Sequence, residues 1–503
     1  NRRNFAYPQY DVISAGADDE TKDNGGAMYE WALQSFFGRL NYNFKERYLL
    51  EANVRIDGSS RFTGSKQYGI FPSFSAAWRV TEEPFMQSLK KTVNELKLRG
   101  SYGTLGNQSI GSDYYPTVQT LAVGSISAND NIYPIVTLNT LANPVITWET
   151  SKMLDFGIDA GLFGKLDITA DWYYKTTEGI LLELDIPLAI GLNAPYQNAG
   201  TVLNSGWEIA VSWNDKIGNV RYGIDANLSD VQNTITDLRG MRQQRNSDMI
   251  INIGGYPINS IYGYICEGMA RDQEQADYVN GQTQQLITIK PGDLVYKDIA
   301  GKKVYDEDGN PVYDKYGYQL EEPDGKITAD DKTIIGNTIP RYTYGVTLNL
   351  GWKNWDLSAF FQGVGKVDGL LNTYYVMPNT QGGTFRRDHL DRWTVDNPDG
   401  YYPRMSGVTA NTNQISSFWV RSAAYCRLKN LQLTYTLPKK LVSQVGLSKA
   451  KCFVNAQNLF TWTNFYQGYD PEVCYTGTDG VTLGSASNYP QVKTITAGVE
   501  ITF

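Results

Sequence analysis

The sequence predicts an all-β fold: an antiparallel sheet of the transmembrane β-barrel kind. Three observations predict it. Apolar and polar residues alternate in segments of about ten residues from about position 30 to Phe503, the mark of a sheet with one oily and one wet face. No run of about 18 apolar residues occurs, although 41% of the 503 residues are hydrophobic. Alternating strands, not apolar helices, must therefore carry any membrane span. Finally, 35 tyrosines and 11 tryptophans supply the residue types that build girdles at membrane–water interfaces.

Each strand follows from parity. Over 35–44, Phe36, Leu40, Tyr42 and Phe44 point one way and Arg39, Asn41 and Asn43 the other. Over 48–57, Tyr48, Leu50, Ala52, Val54 and Ile56 oppose Glu51, Asn53, Arg55 and Asp57. Segments 71–80 and 95–103 follow, then 153–162 after a long loop. Segment 165–175 is the clearest, with Leu166, Ile168, Ala170, Trp172 and Tyr174 against Lys165, Asp167, Thr169, Asp171 and Lys175. Over 206–214, Trp207, Ile209, Val211 and Trp213 share a face, and 221–229 follows. The remaining strands are 342–352, 354–362, 425–437, 451–460 and 492–503. Parity slips between Leu428 and Leu431, which predicts a β-bulge.

Loop lengths add direction. Short turns at 45–47, around Gly164, at 215–219 and at Lys353 alternate with long connections at about 105–150, 176–205, 230–341, 363–420 and 463–490. Outer-membrane barrels have short periplasmic turns and long extracellular loops. With the short turns placed in the periplasm, about thirteen strands result, the first and last running toward the periplasm. Segment 261–270 has strand character but would break the alternation, so it is assigned to an extracellular excursion. An odd count that begins on a downward strand is expected of the later part of a larger barrel. Residues 1–30 are then an extracellular loop or cleaved start, and 31–503 the C-terminal part of the barrel. Asn1 is followed by polar sequence with no apolar signal-peptide core, as expected of a mature or incomplete exported chain.

The net charge of -8 argues against nucleic acid as a partner. Cys266, Cys426, Cys452 and Cys474 show no CxxC spacing and give no metal signal. A Cys266–Cys474 or a Cys426–Cys452 bridge fits the count, and nothing favours either.

Several stretches carry a family resemblance. Arg47-Tyr48-Leu49-Leu50-Glu51-Ala52, then Asp57-Gly58-Ser59-Ser60-Arg61-Phe62, Gly69 through Arg79 with Glu82-Glu83-Pro84-Phe85, and Leu98-Arg99-Gly100-Ser101-Tyr102-Gly103 with Gly106-Asn107-Gln108 resemble SusC/RagA-type TonB-dependent transporters. So do Trp148-Glu149-Thr150, Arg427-Leu428-Lys429-Asn430-Leu431 and Asn455-Ala456-Gln457-Asn458-Leu459-Phe460. The motifs occur in the family's order across 30–503.

The resemblance implies an outer-membrane importer of Bacteroidetes-type bacteria. Such proteins take up oligosaccharides or oligopeptides with energy from TonB and pair with a SusD-like surface lipoprotein. It also implies a 22-stranded barrel with an N-terminal plug. This chain would supply the last thirteen strands and associate, in outer-membrane lipid, with an N-terminal barrel and plug part. The terminal strand, with Ile495, Ala497, Val499, Ile501 and Phe503 on one face, resembles the assembly signal of outer-membrane proteins. A passive porin or siderophore-type receptor has the same architecture. A soluble β-rich glycan-binding or hydrolase domain is the alternative of another class.

Candidate binding residues cluster in loop 363–420: Tyr374, Tyr375, Arg387 and Trp393, beside Arg386, Tyr401 and Tyr402. Aromatics stack on sugar rings and arginines pair with carboxylates, but such residues also pack loops on themselves. Arg39, Arg55 and Arg99 face the lumen. Asp324-Gly325-Lys326-Ile327-Thr328-Ala329-Asp330-Asp331 resembles the second half of an EF-hand-type loop, with Asp324 and Asp331 in ligand positions. Where the family often reads Lys-Asp-Ile-Asn-Gly, this chain has Lys297-Asp298-Ile299-Ala300-Gly301, separated from Asp324 by 302–323. That insertion reads as a hairpin around Asp308-Gly309-Asn310-Pro311. Calcium or a solvated acidic loop both fit. His389 is the sole histidine and no nucleophile motif occurs, so no catalysis is expected.

Overall fold

Thirteen strands pair in chain order into one antiparallel sheet. The computed structural model describes residues 28–111, 113–128, 131–183, 186–245, 249–370, 385–406, 410–474 and 491–503. The strands are β1 (Leu33–Phe44), β2 (Tyr48–Ser59), β3 (Tyr68–Arg79), β4 (Val93–Asn107), β5 (Glu149–Leu162), β6 (Leu166–Glu183) and β7 (Tyr196–Ile217). β8 (Val220–Asp237), β9 (Arg341–Trp352), β10 (Trp355–Lys366), β11 (Tyr425–Thr436), β12 (Lys449–Thr463) and β13 (Thr494–Thr502) complete it. Among the described residues β1 pairs only with β2 and β13 only with β12, so the sheet has two free edges.

Register sorts the side chains. One row of partners runs Tyr42, Leu50, Ala76, Gly100, Phe156, Trp172 and Trp207 across seven strands. The adjacent row runs Asn41, Glu51, Ser75, Ser101, Asp155, Tyr173 and Gly206. A one-residue slip anywhere would exchange the two faces, so burial of one face in lipid would fix the register of all. Phe36, Leu40, Phe156, Trp172, Leu348 and Ile495 of the apolar face are all exposed. In water this would be an outsized apolar patch; in a bilayer it is the required surface. From Phe36 to Phe44 the band is roughly 20 Å tall, given ~3.4 Å per residue and a ~40° tilt. Among the described residues no helix is long and apolar enough to cross a membrane.

The tight turns use left-handed backbone. Lys45–Glu46 and Phe163–Gly164 each place two successive residues at positive φ, as a type I′ hairpin turn demands. The 80–92 turn is pinned by Glu83. Its Oε1 accepts hydrogen bonds from the Tyr48 hydroxyl at 2.7 Å and the Trp78 indole at 3.1 Å, and Arg47 lies 3.4 Å from Oε2. The Glu82-Glu83-Pro84-Phe85 motif thus ties two interface aromatics to the turn beneath them.

The sheet departs from expectation in extent. β6 and β7 run to Glu183 and from Tyr196, so their connection is 184–195, shorter than 176–205. β8 likewise runs on to Asp237. Beyond the apolar band both strand faces meet water or loops, so backbone pairing continues after the alternation that reveals it has stopped. The expected bulge is present, since pairing skips Lys429 on β11 and Asn458 and Leu459 on β12. Segment 261–270 contributes short strands outside the main sheet, Ser260–Tyr264 and Cys266–Met269. Cys266, Cys426 and Cys452 carry free thiols, so neither bridge considered above forms.

Replacing outward Ile158 with Arg is expected to destabilise the membrane-reconstituted protein by about 2–4 kcal/mol. Lumen-facing Thr169→Arg should stay within about 1 kcal/mol. Urea unfolding in lipid vesicles measures both, and equal losses would contradict the assignment of faces.

Candidate functional site

The lumen wall carries a network of ion pairs. Arg99 on β4 stands opposite Gly157 on β5, and a Cβ at 157 would strike both the Arg99 guanidinium and Asp171. That glycine lets Arg99 reach across. Its Nη2 donates to Asp171 at 2.7 Å and to Asp159 at 3.3 Å, and Nη1 lies 3.8 Å from Asp155. Lys97 adds a bond to Asp159 at 3.2 Å. Arg39 pairs with Glu51 at 2.6 Å and Arg55 with Asp57 at 2.7 Å. All three lumen arginines therefore sit on the wet face with acidic neighbours engaged.

At one end of the strands the long connections fold on one another. Connections 238–340, 367–424 and 464–474 meet in a core of Ile250, Ile261, Leu370, Tyr402, Trp419 and Tyr466, seated on Val364 and Tyr425 at the strand tops. A buried charge cluster latches this cap to the wall. Arg427 donates to both Asp470 oxygens at 2.7 Å and to Thr461 at 2.9 Å, and it lies 3.1 Å from Glu472. Lys429, the bulged residue, reaches Glu472 at 3.3 Å. The Arg427-Leu428-Lys429-Asn430-Leu431 motif thus serves to aim two cations at the final loop. The alternating cations and the carboxylates at 470 and 472 are visible in the sequence, but their pairing across a strand and a turn is not.

The sequence-predicted residues fall apart into different roles. Tyr374 and Tyr375 lie outside the described residues. Arg387 is exposed on the helical turn Arg387–Leu390. Trp393 is committed to packing: its indole N–H donates to the Arg271 carbonyl at 2.9 Å, and its ring covers Gly292, where a Cβ would lie 2.6 Å away. His389 is buried between the Phe385 and Tyr402 rings, its Nδ1 accepting the Arg386 N–H at 3.2 Å. Arg386 donates to Asp388 at 2.9 Å and to the Gln467 carbonyl at 3.0 Å, joining two connections. Burial alone would raise the Asp388 carboxyl, but the hydrogen bond and charge of Arg386, with the Tyr402 hydroxyl, hold it below the usual carboxylate range. Burial and the neighbouring Asp388 push Tyr402 up to about 12.

The split calcium-like motif is rejoined in space. Strand Gly301–Lys303 pairs with Glu321–Pro323, so the intervening insertion is extruded as a hairpin. Asp298 accepts the Asp324 and Gly325 amides at 3.3 and 2.6 Å. Asp331, fully buried, accepts the amides of Ile299 at 2.8 Å, Ala300 at 3.1 Å and Thr328 at 2.7 Å. Asp324 accepts the Lys326 amide at 2.9 Å. These carboxylates staple the main chain. Among the described residues no group of three or more His, Cys, Asp or Glu side chains stands where it could hold a metal.

Comparison with known proteins follows the same architecture. The family model described as "TonB dependent receptor-like, beta-barrel" matches residues 1–459. TonB-dependent receptor P26 of Formosa agariphila is 32% identical over 489 residues, covering 94% of this chain and 46% of that protein. TonB-dependent receptor SusC of Bacteroides thetaiotaomicron is 26% identical, covering 94% and 44%. The solved RagAB peptide importer in its "closed-closed" state is 26% identical with a TM-score of 0.76, covering 98% of this chain and 50% of that one. The chain spans about half the length of the curated relatives it matches.

Arg427→Met strips a buried cation from two carboxylates and should cost about 3–5 kcal/mol, whereas Arg39→Met on the exposed wall should cost at most about 1 kcal/mol. Hydrogen exchange of 464–474 separates the two. Because Asp388 is held low, its contribution is present above the ordinary Asp value of about 3.9 and is lost as pH falls through the lower folded value. Acid should therefore loosen 385–404, and Asp388→Asn should abolish that pH dependence. A chelator should leave exchange protection of 298–331 unchanged while Asp331→Asn lowers it; the reverse would point to bound calcium in the loop.

Proposed function

The chain belongs to the family of TonB-dependent receptor-like β-barrels, and from that premise we propose that it forms the later wall of a SusC-like importer in the bacterial outer membrane. The observation that carries the proposal is the two-faced sheet, apolar outside and ion-paired inside, with its likeness to the RagAB importer along almost its whole length. The two free edges call for further strands, since lipid offers no partner to an unpaired N–H or C=O. An N-terminal barrel and plug part supplies those strands in this reading and receives energy from TonB. The cargo is an oligosaccharide or oligopeptide, and a SusD-like lipoprotein covers the cap. The likeness to a peptide importer supports the oligopeptide class, and the oligosaccharide class rests on the motif resemblance of the sequence. The work is physical: the cap receives the oligomer, and displacement of the plug opens the lumen. No catalytic step is assigned.

The test is uptake of labelled oligosaccharides and oligopeptides by cells carrying the full-length protein, with and without TonB. Import of at least one class that ceases without TonB is expected, as is co-purification with a surface lipoprotein. Uptake that persists without TonB would identify a passive porin, and recovery of the protein in the soluble fraction without detergent would end the barrel reading.

A further inference from the structure

We propose that Arg421 recognises a carboxylate carried by the imported oligomer. The inference rests on the importer reading above and narrows its cargo to acidic oligomers, whether the acid belongs to a sugar or a peptide.

Arg421 lies in the short strand Val420–Ser422, which pairs with Asp368–Leu370 and carries the β10–β11 ladder into the cap. Its guanidinium carbon is 4.6 Å from the Tyr401 ring centre and 5.2 Å from that of Tyr466. Both rings are themselves held. The Tyr466 hydroxyl donates to the Trp419 carbonyl, and its ring is buried in the cap core. Tyr401 stacks on Phe418 with centroids 5.3 Å apart and planes 25° apart. The guanidinium thus lies against two rings that are themselves fixed.

The rings do not supply a negative charge. Arg341, Arg386, Arg404 and Arg427 each pair with an aspartate: Asp230, Asp388, Asp293 and Asp470. Among the described residues Arg421 has no such carboxylate, and its buried Nε has no hydrogen-bond partner. Cation–π contact offsets only part of the cost of withdrawing such a group from water. Tyr401 and Tyr466 also engage the Arg421 side chain through their hydroxyls, but a guanidinium carries five N–H donors, more than two hydroxyls take up. Paired guanidinium N–H groups form the fork that fits a carboxylate through two parallel N–H···O bonds. Nε is sealed, but Arg421 as a whole is half-buried and Tyr401 is 37% exposed, so the group sits beside an open aromatic surface. A fork next to such a ring suits an acid-bearing sugar or peptide unit better than a neutral one.

The experiment uses the full-length transporter with its lipoprotein in nanodiscs, titrated calorimetrically with two probe pairs. One pair is trigalacturonate against maltotriose; the other is a short peptide with a free C-terminus against its amide. The carboxylated member of at least one pair should bind about tenfold or more tightly than its neutral counterpart. Which pair shows the preference identifies the source of the acid. Arg421→Met, which keeps the stem between the rings, should erase the preference without lowering the unfolding temperature. Arg421→Lys should restore it only in part. An intact preference in Arg421→Met, no binding of either carboxylated probe, or a lowered unfolding temperature with equal loss for both members of a pair would overturn the proposal. Import that ceases without TonB yet shows no carboxylate preference would sink this inference alone; absence of TonB-dependent import would sink the importer reading itself.

Discussion

A strand crossing hydrocarbon has no solvent to take its N–H and C=O groups, so each must find a partner on a neighbouring strand. Much of this molecule answers to that constraint. It forces the unbroken antiparallel ladder from β1 to β13. Because the ladder fixes period two, it also decides that every second side chain meets lipid and every other one meets the lumen. Phe156 and Asp155, one residue apart, end in environments as unlike as hydrocarbon and an ion-paired polar wall.

Outside the apolar band the constraint relaxes and ordinary packing takes over. Among the described residues the largest fully buried side chains include Trp419, Arg427 and Tyr296, which lie in the cap or at its junction with the strands. The cap is thus stabilised like a soluble domain, by a core of its own, and joined to the wall by the Arg427–Asp470 pair across the β11 bulge.

How much of this was legible in the sequence follows the same boundary. Strand identity, order and the bulge after Leu428 could be read because lipid on one face and water on the other write an alternation into the residues. The extra length of β6, β7 and β8 could not, since above the band nothing enforces alternation. Within the cap, side-chain roles depend on contacts between residues far apart in the chain. Trp393 looks like a stacking platform until Gly292 and the Arg271 carbonyl are found beneath it. Arg421 gives no signal in the sequence, because its interest lies in what surrounds it and in the absence, among the described residues, of a carboxylate.

The central claim is that the two faces of this sheet meet lipid and water respectively. Spin labels placed one at a time at 154–160 on β5 and 168–174 on β6 of the reconstituted protein test it directly. The account predicts that accessibility to oxygen, which concentrates in lipid, peaks at 154, 156, 158, 160, 168, 170, 172 and 174. Accessibility to a water-soluble relaxant should peak at the positions between. Loss of the period of two, or the same relaxant reaching both faces equally, would contradict it.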